Sequence, residues 1–143
     1  MNVEGQIEEQ IASQPEPKRS DMRELHQLAL RVSPGCKLWF HDGRDERGRT
    51  ICNPTIGYGS MTLALANGKT RESFRVGLSA NTTGISIYLI GLEDKTYLAR
   101  TYGKTLGKAS VTGYCIKFKT LKDVRMEMLE AVMRYGFERG AEA

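Results

Sequence analysis

A chain of 143 residues, 40% hydrophobic and 27% charged, is long enough to close a core without a disulfide or metal staple and too apolar to stay disordered. No apolar run approaches the roughly 20 residues of a bilayer-crossing helix. The acidic start through Glu4, Glu8 and Glu9 is the reverse of a secretory leader, so the expected location is the cytoplasm. The net charge of +4 is unevenly laid out: residues 1–16 carry four acids and no base, whereas residues 95–125 hold eight bases against one acid.

Val3, Ile7 and Ile11 recur every four residues and predict a short helix, which Pro15-Glu16-Pro17 stops. The same prolines suit the first turn of a second helix, whose stripe is Met22, Leu25, Leu28, Ala29 and Val32; Ser33-Pro34-Gly35 ends it. From Cys36 the period changes to two. Lys37 to His41 reads as a strand, and Asp42-Gly43 opens a charged loop through Arg49. Ile51 to Tyr58 contains Pro54 and Gly57, which predicts an edge, a bulge or a bend. Met61, Leu63 and Leu65 alternate with small or polar residues up to Asn67-Gly68, a pair that predicts a type I′ hairpin turn. The return strand offers Phe74, Val76 and Leu78 on one face, and Asn81 to Gly84 makes the next turn.

Ile85 to Ile90 is apolar on both faces and is expected at the centre of the sheet. Tyr97 to Tyr102 fits a short helix or a loop, and Tyr114 to Phe118 reads as the last strand. The final helix is expected from Thr120, with Thr120-Leu121-Lys122-Asp123 as a capping-box variant. Val124, Met128, Ala131, Val132 and Tyr135 form its buried face, and Gly136 its stop. The reading is one α+β domain over 1–143: helical at 3–32, an antiparallel sheet of five to six strands over 36–118, and a helix over 120–136. Short turns make consecutive strands antiparallel neighbours in a meander, with the helices on one face.

Catalytic and metal motifs are weak. Gly68-Lys69-Thr70 and Gly103-Lys104-Thr105 end like a phosphate loop, but Leu63 and Leu98 stand where its leading glycine belongs, so both read as turns. His26 reads as a surface or boundary residue, and His41 could meet Cys36 or Cys52 only through tertiary contacts. Cys36, Cys52 and Cys115 read as small buried hydrophobes in strands rather than a disulfide framework. Glu4, Glu8 and Glu9 are the weak metal candidates, a small acidic helix face that a solvated surface explains as well. Lys95, Arg100, Lys104, Lys108, Lys117, Lys119, Lys122 and Arg125 interleave with Tyr97, Tyr102, Tyr114 and Phe118. That pattern suits phosphate groups or single-stranded nucleic acid, and equally the wet face of a strand.

Gly107-Lys108-Ala109-Ser110, Gly113 to Lys119 and the closing helix resemble the YdhG-like family, catalogued as a domain of unknown function. The Pro-Glu-Pro step and Ile56-Gly57-Tyr58-Gly59 resemble it too, although Ser60-Met61 stands where that family carries Met-Pro. The resemblance implies an α-β-α fold similar in outline to frataxin. Some relatives are labelled iron chaperones, which would cast Glu4, Glu8 and Glu9, together with Asp21, as iron contacts. The expected function is a non-enzymatic module binding a protein or small ligand, with no cofactor, no membrane partner and nucleic acid as a lesser alternative. The candidate ligand-binding residues are Trp39, Tyr58, Tyr88, Lys104, Lys108 and Lys117.

Overall fold

Helical rhythm at the two ends and alternation between them become two layers in the computed structural model, which describes residues 2–139. Helices α1 (Val3–Ala12) and α2 (Lys18–Val32) lie where the apolar stripes put them, burying Ile7 and Ile11, and Met22, Leu25, Leu28 and Ala29. Each start is satisfied by a side chain. Asn2 Oδ1 accepts the Gly5 amide at 2.8 Å, and Glu16 Oε1 accepts the Ser20 amide at 2.9 Å. Strands β1 (Leu38–His41), β2 (Thr55–Tyr58), β3 (Met61–Ala64), β4 (Thr70–Ser73), β5 (Val76–Asn81) and β6 (Gly84–Leu89) follow. Then come α3 (Tyr97–Tyr102), β7 (Ser110–Val111), β8 (Cys115–Phe118) and α4 (Met126–Arg139).

The sheet is antiparallel throughout, with six strands in the order β1-β2-β5-β6-β8-β7, and β3 and β4 form a separate two-stranded hairpin. This corrects the expected meander in two places. The hairpin leaves the sheet so that β2 pairs directly with β5, and β8 returns between β6 and β7. β6 is central, as its two apolar faces require. β2, however, is interior: Pro54 stands before the strand, so no ladder bond is lost.

Helices α1, α2 and α4 pack on one face. α2 touches both α1 and α4 and lies over β5 and β6, while α1 covers β1. The core between the layers takes Ile56 and Tyr58, Val76 and Leu78, Ile85, Ile87 and Leu89, and Ile116 and Phe118. Alternation therefore sends Trp39, Gly57, Gly77, Tyr88 and Cys115 to the helix-free face, where they form one cross-strand row.

Several local expectations are corrected. The hairpin turn is not type I′: no described non-glycine residue has positive φ, and Gly68 alone takes +83°. Leu65 N donates to Lys69 O and Gly68 N to Leu65 O, which gives a three-residue loop in which a type I turn is followed by a left-handed glycine. Phe74 does not share a face with Val76 and Leu78. It lies between β4 and β5 and turns its ring onto Gly57 and Gly77, where an added Cβ would stand 2.6 and 2.8 Å from ring atoms.

The closing helix starts at Met126, after one 3₁₀ turn at Leu121–Asp123, because Val124 is extended. Thr120 Oγ1 bonds the Asp123 carboxylate at 2.9 Å instead of capping a backbone amide. The buried face of α4 is Leu129, Val132, Met133 and Gly136, with Met128, Ala131 and Tyr135 half-buried. Gly136 is therefore not a stop. It is the point of closest approach to the sheet, where a Cβ would stand 2.9 Å from Val76 and 3.1 Å from Leu89. Of the cysteines, Cys115 is buried in a strand, Cys36 is half-buried and Cys52 is exposed on a loop, against the expectation for the last two.

Candidate functional site

Two-residue alternation along β8 places Lys117 on the helix-free face opposite Ser86 on one side and Ser110 on the other. Continued one step, the same alternation brings Lys119 to that side, and Lys108 stands two residues before Ser110. The outcome is a shallow, open cavity of about 340 Å³ lined by Asn81, Thr83, Ile85, Lys108, Ala109, Ser110, Lys117, Phe118 and Lys119. One wall is built by the β5–β6 turn. Asn81 Oδ1 accepts both the Thr83 amide and the Thr83 hydroxyl, at 3.0 and 2.9 Å, and Asn81 Nδ2 donates to Ser86 Oγ at 2.9 Å. Lys18 of α2 donates to the Asn81 carbonyl at 2.6 Å and adds an ammonium behind that wall.

Among the described residues, Lys95, Lys108, Lys117 and Lys119 form no ion pair, whereas Arg100 of the same basic block is held by Asp94 at 3.1 Å. Lys108, Lys117 and Lys119 thus line one polar site whose lining holds no carboxylate, which leaves its local field positive. The Ser110 and Thr83 hydroxyls lie in the same lining and add hydrogen-bonding capacity that lysine alone lacks.

The remaining candidates separate. Lys104 follows α3 and stands outside this lining. Tyr88 is on the lysine-bearing face and stacks with Tyr114, ring centroids 6.3 Å apart at 19°. Trp39 lies in the same cross-strand row, three strands away. Its indole donates to Gly59 O at 2.7 Å, and Phe74 fills the space over the glycines between it and Tyr88. Trp39, His41, Thr55, Arg71 and Phe74 line a groove of about 320 Å³ beside the hairpin. Tyr58 faces the helices and is 0% exposed. The aromatics expected among the lysines mostly serve packing: Tyr97 stacks on Tyr135 at 4.1 Å and meets Tyr102 edge-on, and Phe118 is in the core. Tyr114 alone of that set is open, at 57%.

A second cavity, of about 520 Å³, opens between α1, α2 and β1 and is lined by Glu4, Ile7, Glu8, His26, Leu30, Gly35, Cys36 and Leu38. Tyr58 OH lies 2.6 Å from His26 Nδ1 beneath it. Burial lowers the His26 pKa, so the imidazole is neutral at pH 7 and shares one hydrogen bond with the tyrosine hydroxyl through Nδ1. Burial pushes the thiols of Cys36 and Cys115 up, which leaves them poor nucleophiles at neutral pH. His41 Nδ1 accepts the Gly43 amide, and neither Cys36 nor Cys52 hydrogen-bonds it.

The acidic candidates do not converge. Glu8 pairs with Arg23, Glu4 and Glu8 border this cavity, and Glu9 faces another beside Gln6 and Phe40. Asp21 accepts the Leu121 amide at 3.0 Å and ties α2 to the turn before α4. No group of three or more His, Cys, Asp or Glu among the described residues is placed to hold a metal ion, and no described helix is long and apolar enough to cross a membrane.

Asn81, Thr83, Ser110 and Lys119 complete the lysine-lined cavity, and of these the sequence pattern alone pointed only to Lys119. The other three join it through the β7–β8 register and the β5–β6 turn, which no local periodicity encodes. Neither a protein-family model, nor a curated protein, nor a solved structure compared with the chain matches it.

Proposed function

We propose that the protein is a non-enzymatic binding module that takes a phosphate-bearing ligand in the cavity of Lys108, Lys117 and Lys119. The observation that carries this reading is the convergence of three lysines free of ion pairs, with two hydroxyl side chains, in one concave site. A phosphate group placed there exchanges water for charge-assisted hydrogen bonds, each worth roughly 1.5–3 kcal/mol. The iron-chaperone role that the family resemblance implies draws less support, because Glu8 is engaged by Arg23 and Glu9 lines a different cavity from Glu4 and Glu8.

Isothermal calorimetry with inorganic pyrophosphate tests the reading. Binding should weaken as sodium chloride rises, because salt screens the attraction between the exposed lysines and the anion and chloride competes for the site. Lys117→Ala and Lys119→Ala should each lower affinity by roughly tenfold or more. Both side chains are exposed, so their circular dichroism spectra and melting curves should match wild type. No heat of binding at low salt, or an affinity indifferent to salt and to both substitutions, would overturn it.

A further inference from the structure

We infer that the ligand is a single-stranded nucleic acid, laid along the helix-free face so that one base stacks on Tyr114 while its phosphates reach Lys117, Lys119 and Lys108. This rests on the phosphate-binding reading of the lysine cavity and names the class of ligand that fills it.

The argument starts from a solvent-facing ring. Tyr114 is 57% exposed although it is large and aromatic, and it is held in place by its stack on half-buried Tyr88. A ring braced by an offset, near-parallel neighbour and still largely exposed offers surface to another planar group, and every nucleobase supplies one whatever its identity. A depression of about 500 Å³ lined by Gly91, Leu92, Lys95, Gly113 and Tyr114 lies beside that ring. Lys95 packs against the turn that carries it, 3.2 Å from where a Cβ on Gly113 would stand.

Positive charge flanks the platform on both sides. Lys95 stands at one end, and Lys117 and Lys119 continue along the strand at the other. Alternate residues of a strand are about 6.7 Å apart, so Lys117 and Lys119 are spaced much like successive phosphates of an extended strand, and Tyr114 precedes them in the turn just before β8. The nearest acids dilute this field little: Asp94 is tied to Arg100 and to Thr96, which leaves Glu93 as the exposed carboxylate beside Lys95. A duplex offers phosphates but hides its base faces, so it would use the lysines and leave Tyr114 idle. A free phosphate would do the same.

Fluorescence anisotropy separates these cases, with a labelled single strand of about 15 nucleotides, its duplex and pyrophosphate as competitor, each at about 50 and 200 mM salt. The single strand should bind at least tenfold tighter than the duplex, with affinity falling as salt rises. Tyr114→Ala should lose roughly tenfold or more on the single strand and nothing on pyrophosphate, and Tyr114→Phe should restore the loss, because stacking needs the ring and not the hydroxyl. Lys117→Ala should weaken both ligands. If pyrophosphate binds but the single strand does not, binds no tighter than duplex, or ignores Tyr114→Ala, this inference falls and the phosphate reading stands. If neither ligand binds, both fall.

Discussion

His26 and Tyr58 depend on each other in a way that sets a pH window. Tyr58 is wholly enclosed, and burial raises its pKa, so its hydroxyl stays protonated and hydrogen-bonded to His26 Nδ1. The imidazole pKa is lowered, first by burial and further by Arg23, with Glu8 opposing. The unfolded chain therefore takes up this proton before the folded one does. Stability from the neutral histidine is complete above the unfolded value of about 6.5 and is lost as pH falls below it towards the folded pKa. Protonation does not break this bond, since imidazolium donates at Nδ1 and the Tyr58 oxygen can accept. Tyr58→Phe should therefore cost about 1 kcal/mol in urea denaturation near pH 7.5, and the cost should not fall towards pH 5, where the phenylalanine would leave a charged donor without its acceptor. A cost that vanishes by pH 5 would show that the bond does not survive protonation of His26. The sequence read His26 as a surface or boundary residue, and the ring is half-buried, but Gly57 and Gly59 on either side of Tyr58 left no alternation from which to read the face of the tyrosine.

Element-scale features were most legible where a periodicity ran unbroken. The stripes of α1 and α2, the two-sided apolar run of β6 and the alternation of β8 each fixed an element and its buried side. Legibility failed where one residue left the rhythm. Phe74 reads as the start of a strand because it stands two before Val76, yet β4 has already ended at Ser73 and the ring crosses to the other face. There it covers Gly57 and Gly77, which pair across β2 and β5. The glycines and the ring form one packing unit, and this gives a prediction with a change of sign. Gly57→Ala puts a methyl where atoms of Phe74 stand 2.6–2.7 Å away, which should destabilise by roughly 1–3 kcal/mol. In a Phe74→Ala background the clash is gone, and Ala instead reduces the freedom of the unfolded chain, so the same substitution should be neutral or stabilising by about 0.5 kcal/mol. Thermal or urea melts of the four proteins close the cycle, and additive effects would mean that the ring is not what excludes a side chain at residue 57.

At the scale of the whole molecule the charge layout was visible in the chain, but its consequence was not. The excess of bases over 95–125 could have spread around the surface; pairing of β6, β8 and β7 instead gathers Lys108, Lys117 and Lys119 at one cavity, while Lys104 and Arg100 go elsewhere. Folding brings Lys108 to the same site as Lys117 and Lys119, which are already neighbours along the chain, so the native state carries a repulsion involving Lys108 that the extended chain lacks. Any anion that enters the cavity relieves it and binds the native state in preference to the unfolded one. Pyrophosphate at about 100 times its dissociation constant should then stabilise the protein by about 2.7 kcal/mol. For a chain of this size that is a rise of several degrees in Tm, roughly 2–4 °C per kcal/mol. The variant carrying Lys108→Ala, Lys117→Ala and Lys119→Ala together should melt at or above the wild-type temperature in low salt and show no rise with pyrophosphate. A variant that melts lower would mean that the three lysines do not repel one another in the fold, and one that gains as much from pyrophosphate as the wild type would mean that they do not hold the anion; either result would break the link between charge and fold at this cavity.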